Sequence, residues 1–166
     1  MKKTVIPILL AAISGVGLIG VASVSHTPLL IWNASASAPI GLYRLTLAVP
    51  KHGDLVLVSP PESLAKFAAE RGYLAAGVPM IKRIAAMGGD DVCALHNLIM
   101  INGKIIARQF EADRAGRPMP RWRECRALAD DEIFLILPPE DSFDSRYFGP
   151  VQRSRIMGRI LPLWIK

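Results

Sequence analysis

From Val5 to Val24 the chain carries no charged residue, and no other stretch narrows the possible folds as much. A helix of about 20 residues, rising 1.5 Å per residue, crosses one bilayer core. The lysines of Met1-Lys2-Lys3 stay on the cytoplasmic side by the positive-inside tendency, so residue 25 onward faces the far side. Two other readings stand beside the anchor. Ala22 and Ser23 are small enough for a signal-peptide cleavage site, although the length of the run favours an uncleaved span. A buried core helix is the weaker third option, because the segment has no polar face to turn toward water. The chain therefore divides into an N-terminal transmembrane anchor over 1–25 and one domain over 26–166, outside the cytosol.

With 166 residues and 51% hydrophobic content, the chain holds one core of ordinary size and has no room for a second. The formal net charge of +6 comes from dispersed basic residues with one local cluster, Arg114, Arg117, Arg121, Arg123 and Arg126. Such a cluster suits acidic lipid headgroups, an acidic partner or nucleic acid. No nucleic-acid motif accompanies it, which leaves a solvated or membrane-facing loop and no expected nucleic-acid partner. Cys93 and Cys125 stand far apart and in no metal-ligand pattern, so no metal or cofactor is expected. In the oxidising space outside the cytosol a disulfide between them is favoured; the alternative is a pair of unpaired buried thiols.

Beyond the anchor the pattern is mainly β. Leu42 to Leu45, Leu55 to Val58 before Pro60-Pro61, and Ile133 to Leu137 before Pro138-Pro139 are short apolar runs that fit strands. Lys51-His52-Gly53-Asp54 forms a turn between the first two, which puts His52 at the surface and not in a catalytic role. Two apolar runs about Asn102-Gly103 predict a hairpin over 98–106. The Arg-, Pro- and Gly-rich stretch after it, to Asp131, reads as an extended loop. Glu62 to Ala76 sets Leu64, Phe67, Ala68 and Tyr73 near helical spacing and ends at Gly77 and Pro79, a short helix. Arg155 to Ile165 closes the sheet.

Three stretches carry chemistry. Asn33-Ala34-Ser35-Ala36-Ser37-Ala38-Pro39-Ile40-Gly41-Leu42-Tyr43 offers two hydroxyls, Ser35 and Ser37, on a backbone whose small neighbours let another chain approach closely. That arrangement serves a nucleophile with a helper, and it serves a plain linker equally well. Met80 to Asp90 predicts a strand in which Lys82 shares the buried face of Met80 and Ile84. Burial disfavours an ammonium, lowers its pKa and makes it a base near neutral pH, whereas a lone lysine in a strand more often snorkels to water. Gly88-Gly89-Asp90 is a turn and not a phosphate loop, since no Gly-Lys-Ser/Thr follows. Asp141-Ser142-Phe143-Asp144-Ser145-Arg146 packs acid, hydroxyl and guanidinium groups together. An Asp–Arg pair there holds a loop rigid while a serine hydroxyl bonds a neighbour; the alternative is a polar turn with an exposed and weak ion pair.

A single membrane anchor, Ser-x-Ser-x-Pro, Gly-Asp-Leu-Val-Leu-Val, Ile-Lys-Arg-Ile with a following Gly-Asp, and Asp-Ser-Arg-Tyr-Phe-Gly occur here in one order. In that order the chain, from residue 33 to about residue 160, resembles the signal peptidase I family of Ser/Lys proteases. It resembles the TraF-type conjugative-transfer peptidases more closely, since their serine region reads Asn-x-Ser/Thr-x-Ser-x-Pro-x-Gly-Leu-Tyr, matched from Asn33 to Tyr43. The two cysteines flanking the middle insertion and the run Arg121-Trp122-Arg123-Glu124-Cys125 also look like that branch. Ordinary signal peptidases have Ser-x-x-Pro, and Ser37 is followed here by Ala38-Pro39, which turns the expectation away from general secretory processing.

The resemblance implies Ser37 as nucleophile and Lys82 as the general base that takes its proton. It implies an oxyanion hole made by the Ser37 backbone N–H and the Ser35 hydroxyl, with Ser142 orienting the lysine and Asp144 with Arg146 as the structural pair behind it. The implied fold is mainly β, an antiparallel, partly barrel-like sheet of the signal-peptidase type with one N-terminal transmembrane helix and a short helical insertion. The implied protein lies in a bacterial inner membrane with its catalytic domain facing the periplasm. It matures a pilin precursor for conjugative transfer or type IV secretion, by hydrolysis or by joining the trimmed ends into a ring. Its implied partners are that precursor, inner-membrane lipid and other transfer components. A non-catalytic assembly subunit of the transfer apparatus is the alternative.

Overall fold

The computed structural model describes residues 29–35 and 37–166. The expected anchor over 1–25 lies outside them, and among the described residues no helix is long and apolar enough to cross a membrane. In chain order the elements are β1 (Leu30–Asn33), β2 (Gly41–Thr46), β3 (Leu55–Val58), α1 (Glu62–Glu70) and β4 (Met80–Met87). Then come β5 (Asp91–Leu95), β6 (Leu98–Ile101), β7 (Lys104–Arg108), β8 (Cys125–Ala127) and β9 (Glu132–Ile136). Last are α2 (Ser145–Phe148), β10 (Val151–Gln152), a 3-10 turn over Arg153–Arg155, and β11 (Ile156–Ile165).

Seven strands pair in the order β1-β2-β11-β3-β4-β9-β10, antiparallel throughout and curled as a half-barrel. A second sheet, β7-β6-β5-β8, is inserted between β4 and β9. Period-2 alternation explains the curl's inner face: in β2, Gly41, Tyr43 and Leu45 are buried while Arg44 is exposed. The two sheets meet through Ala86, Val92, Ile99, Trp122 and Phe134. Gly41 is required where β11 crosses β2, because a Cβ there would lie 2.1 Å from the Trp164 carbonyl oxygen. That close crossing sits immediately after the serine stretch.

The hairpin at Asn102-Gly103 forms as its residues dictate: φ is 49° and 76° at the two positions, the pair of left-handed residues that a two-residue hairpin turn demands. The short helix is shorter than its apolar spacing predicts. It ends at Glu70 and not at Ala76, because Gly72 turns left-handed at φ 69° and the Tyr73 and Leu74 amides fold back on the Ala68 carbonyl.

The stretch to Asp131 is also more ordered than an extended loop. Ala112 bridges Pro118, and β8 pairs with β5. Four of the five clustered arginines are tied to acids: Arg114 to Asp141 at 2.6 Å, Arg117 to Asp113 at 2.7 Å, Arg121 to Glu111 at 3.5 Å and Arg126 to Glu132. Local carboxylates thus offset much of the basic patch.

Cys93 and Cys125 face each other in the β5–β8 register and are joined by a disulfide. The bridge spans a sequence separation of 32, and in the chain-entropy picture closing such a loop contributes about 3.7 kcal/mol. A Cys93→Ala/Cys125→Ala double variant is expected to lose roughly that amount. Urea midpoints of the oxidised parent and the variant measure it, and reductant should move the parent's midpoint to the variant's.

Candidate active site

The serine stretch is folded onto one side chain. Asn33, 6% exposed at the end of β1, accepts at Oδ1 from the Ser35 amide and the Ser35 hydroxyl, each at 3.0 Å. Its Nδ2 faces the carbonyl oxygens of Ser35, Ala38 and Pro39, again at 3.0 Å each. The Tyr43 hydroxyl donates to the Pro39 carbonyl at 2.6 Å. Small residues and a proline leave the backbone many conformations, and these bonds select one. In it the Ser35 and Ser37 Oγ atoms lie 3.0 Å apart, with Ser37 half-buried.

Lys82 is placed by β4, which lies between β3 and β9 with Lys82 opposite Val56. The side chain is 4% exposed, and its Nζ donates to Ser142 Oγ at 2.9 Å. Loss of water around the ammonium is the main influence and lowers the pKa to about 8. The Asp144 carboxylate opposes this and the Arg146 guanidinium adds to it.

Behind Ser142, Asp144 caps α2 and accepts from Arg146 Nε at 2.7 Å and Arg146 Nη2 at 2.9 Å. Its Oδ2 also takes the Leu137 amide at 3.1 Å. Arg146 spends further donors on the carbonyls of Glu140 at 2.8 Å and Leu137 at 2.7 Å. Both residues are buried, so the pair is an interior strut and not a surface contact. The pair has the full set of partners that a buried charge pair needs.

The structure therefore gathers the candidate residues into two groups, Asn33–Ser35–Ser37 and Lys82–Ser142 backed by Asp144–Arg146. The groups border one hydrophobic cluster, which includes Ala38, next to Ser37, Ile81, next to Lys82, and Leu137. Among the described residues no hydrogen bond joins Ser37 to Lys82. His52 is half-exposed and bonds Asp90 at 2.9 Å, apart from both groups. Among the described residues no cluster of three His, Cys, Asp or Glu side chains could hold a metal ion.

Three supporting side chains escape a reading of the sequence for site residues. Asn33 enters only as part of a motif. Ser145, buried, accepts the Leu135 amide at 3.0 Å and so pins α2 to β9. Gln109, buried in the inserted region, donates to the Trp122 carbonyl at 2.8 Å and to the Arg146 carbonyl. Only Asn33 has a local signal, since Asn ahead of small polar residues commonly folds the following backbone onto its side chain. The other two act on partners distant in the chain.

A family model described as signal peptidase, peptidase S26, matches residues 1–164. A plasmid transfer protein TraF of Escherichia coli is 37% identical over 142 residues, which is 79% of this chain and 80% of that one. A probable conjugal transfer protein TraF of Sinorhizobium fredii is 35% identical over 137 residues, 76% of this chain and 72% of that one. A solved signal peptidase I of Enterococcus faecalis aligns with 69% of this chain and 98% of its own at 17% identity. Its TM-score of 0.38 is too low for that likeness to carry weight.

Proposed function

The chain belongs to the signal peptidase, peptidase S26 family, and from that premise we propose that it is a membrane-anchored serine endopeptidase of a conjugative transfer system. Its substrate is a pilin precursor, Ser37 is the nucleophile and Lys82 the base. The observation that carries this reading is the buried Lys82. An amine with a pKa of about 8 is partly neutral near physiological pH, and only the neutral amine accepts a proton. Ser142 orients it, and the Asp144–Arg146 strut holds the segment that carries Ser142.

In the acylation step the Ser37 Oγ–C bond forms at the scissile carbonyl as Lys82 Nζ takes the hydroxyl proton. The oxyanion falls to the Ser37 amide and the Ser35 hydroxyl. The Lys82 ammonium then gives its proton to the departing amine, and the peptide C–N bond breaks. A water next attacks the ester, or an amine of the precursor does so and closes a ring; only the second nucleophile differs. Lys82 bonds Ser142, and Ser37 bonds Ser35. Catalytic hydrogen bonds commonly tighten only in the Michaelis complex, and here the reaction requires the amine to turn toward Ser37.

An apolar rim beside the serine loop supports a place at a lipid surface on the periplasmic side. Leu29, Leu30 and Trp32 next to Asn33, with Leu163, Trp164 and Ile165 at the end of β11, are all exposed. Trp32 and Trp164 stack at 5.9 Å, and amphipathic tryptophans suit the interfacial zone.

Mass spectrometry of the candidate pilin from membranes holding the parent or the Ser37→Ala chain tests the proposal. The parent should produce a trimmed pilin, with a further loss of one water if the ends are joined. The Ser37→Ala chain should leave the precursor whole. Equal trimming with both chains would make this an assembly subunit and overturn the enzyme reading.

A further inference from the structure

We propose that Asn33 is a positioning residue that sets the direction in which the Ser35 hydroxyl donates, and thereby the rate at which Ser37 is acylated. This rests on the Ser37 reading above and adds to it a residue without an assigned role.

A serine hydroxyl has one hydrogen to give and two lone pairs to offer. Ser35 Oγ has two partners in reach, Asn33 Oδ1 at 3.0 Å and Ser37 Oγ at 3.0 Å. The amide oxygen bears no hydrogen, so in that contact Ser35 must be the donor. Its single hydrogen is then committed to Asn33, and the Ser35–Ser37 contact is made with the hydrogen of Ser37. The resting site thus holds the Ser37 hydroxyl in a defined orientation, with the Ser35 hydrogen aimed away from any oxyanion.

Acylation reverses that order. Once Ser37 has lost its proton, Ser35 is free to rotate about its Cα–Cβ and Cβ–Oγ bonds and to donate toward the developing oxyanion. Asn33 Oδ1 is not orphaned by this, because the Ser35 amide still donates to it at 3.0 Å. One neutral hydrogen bond is exchanged for a charge-assisted one, which is the stronger kind, and no proton changes owner.

Asn33 is suited to the task because it cannot turn over. Its Nδ2 faces the carbonyl oxygens of Ser35, Ala38 and Pro39, and a flipped amide would set oxygen against oxygen at all three. The residue is also fixed by β1, where it pairs with Gly41 of β2. An aspartate would keep the acceptor and lose the donors, and its charge would hold the Ser35 hydrogen more tightly.

A double-mutant cycle on the full chain in detergent separates this role from simple support of the loop. Acylation is followed with a p-nitrophenyl ester of a short peptide, by nitrophenol release and by the mass of the Ser37 adduct. Asn33→Asp, whose charge holds the Ser35 hydrogen back from the oxyanion, is expected to slow acylation about 100-fold in the parent, the size of effect seen when an oxyanion-hole donor is disabled. In a Ser35→Ala background the same change should cost about tenfold less, because the hydroxyl it controls is gone. KM should change little in either.

Equal factors in both backgrounds would mean that Asn33 only supports the loop, and would overturn the inference. Should Asn33→Asp fail to melt cooperatively, Asn33→Ala replaces it in the cycle: it releases the Ser35 hydrogen, so its factors in the two backgrounds should again differ, and equal factors again overturn the inference. A parent chain that gives no Ser37 adduct overturns the serine reading together with this inference. An acylating parent with equal factors overturns this inference alone.

Discussion

Lys82→Met is expected to be inert and yet more stable than the parent. Removal of a general base lowers acylation by about 10²- to 10⁴-fold. The stability gain follows from the pKa, which is 10.5 for an ordinary lysine and about 8 here. Between those values the unfolded chain binds a proton that the folded chain releases, so the parent's stability rises with pH across that window. Below pH 8 the penalty is present in full, and at 1.36 kcal/mol per pKa unit it amounts to about 3 kcal/mol. Methionine fills a similar volume without charge. Ser142, buried and deprived of its donor, takes back about 1 kcal/mol. The variant should therefore exceed the parent by about 2 kcal/mol at pH 7, and the advantage should vanish by pH 10.5. Urea midpoints at several pH values read this directly, and a variant weaker than the parent at pH 7 would contradict it. Parent acylation should climb through pH 8 and then level, while an acid optimum would point to another base.

Asp144→Ala is expected to cost about 4 kcal/mol, because it strands the Arg146 guanidinium in the interior. The side-chain exposures of that pair are 1% and 0%, so water cannot take over the lost contact. The Leu137 amide loses its acceptor as well. Loss of the carboxylate that raises the Lys82 pKa should also move the rise of activity to lower pH. Breaking the Arg114–Asp141 pair by Asp141→Ala is the matched control. Its side chains are 85% and 43% exposed, and an exposed pair of this kind contributes about 0.5 kcal/mol. Similar losses from the two variants would refute the distinction between the buried strut and the surface contact.

Much of the scaffold was legible because it depends on neighbours in the chain. Asn102-Gly103 supplies the two left-handed residues of its turn, and the apolar run Leu55–Val58 has no other way to hide. The alternation around Met80, Lys82 and Ile84 already turned the lysine inward. The helix end misled, since apolar spacing continued past Gly72 while the backbone did not. The stretch before Asp131 misled for another reason. Its order comes from ion pairs such as Arg117 with Asp113 and Arg114 with Asp141, and from the pairing of β8 with β5, none of which apolar spacing announces.

Strand periods and turn types were settled by the linear order of residues, since they follow from φ/ψ preferences and from spacings of two or three. The bond from the Leu135 amide to Ser145 and the reach of Gln109 to the Arg146 carbonyl came only with the tertiary structure, which also decided between the readings left open for Lys82, for the Asp144–Arg146 pair and for the two cysteines. Lys82 and Ser142 are 60 residues apart in the chain. The loss of water around an amine is a property of everything packed near it, and a string of letters does not contain that neighbourhood.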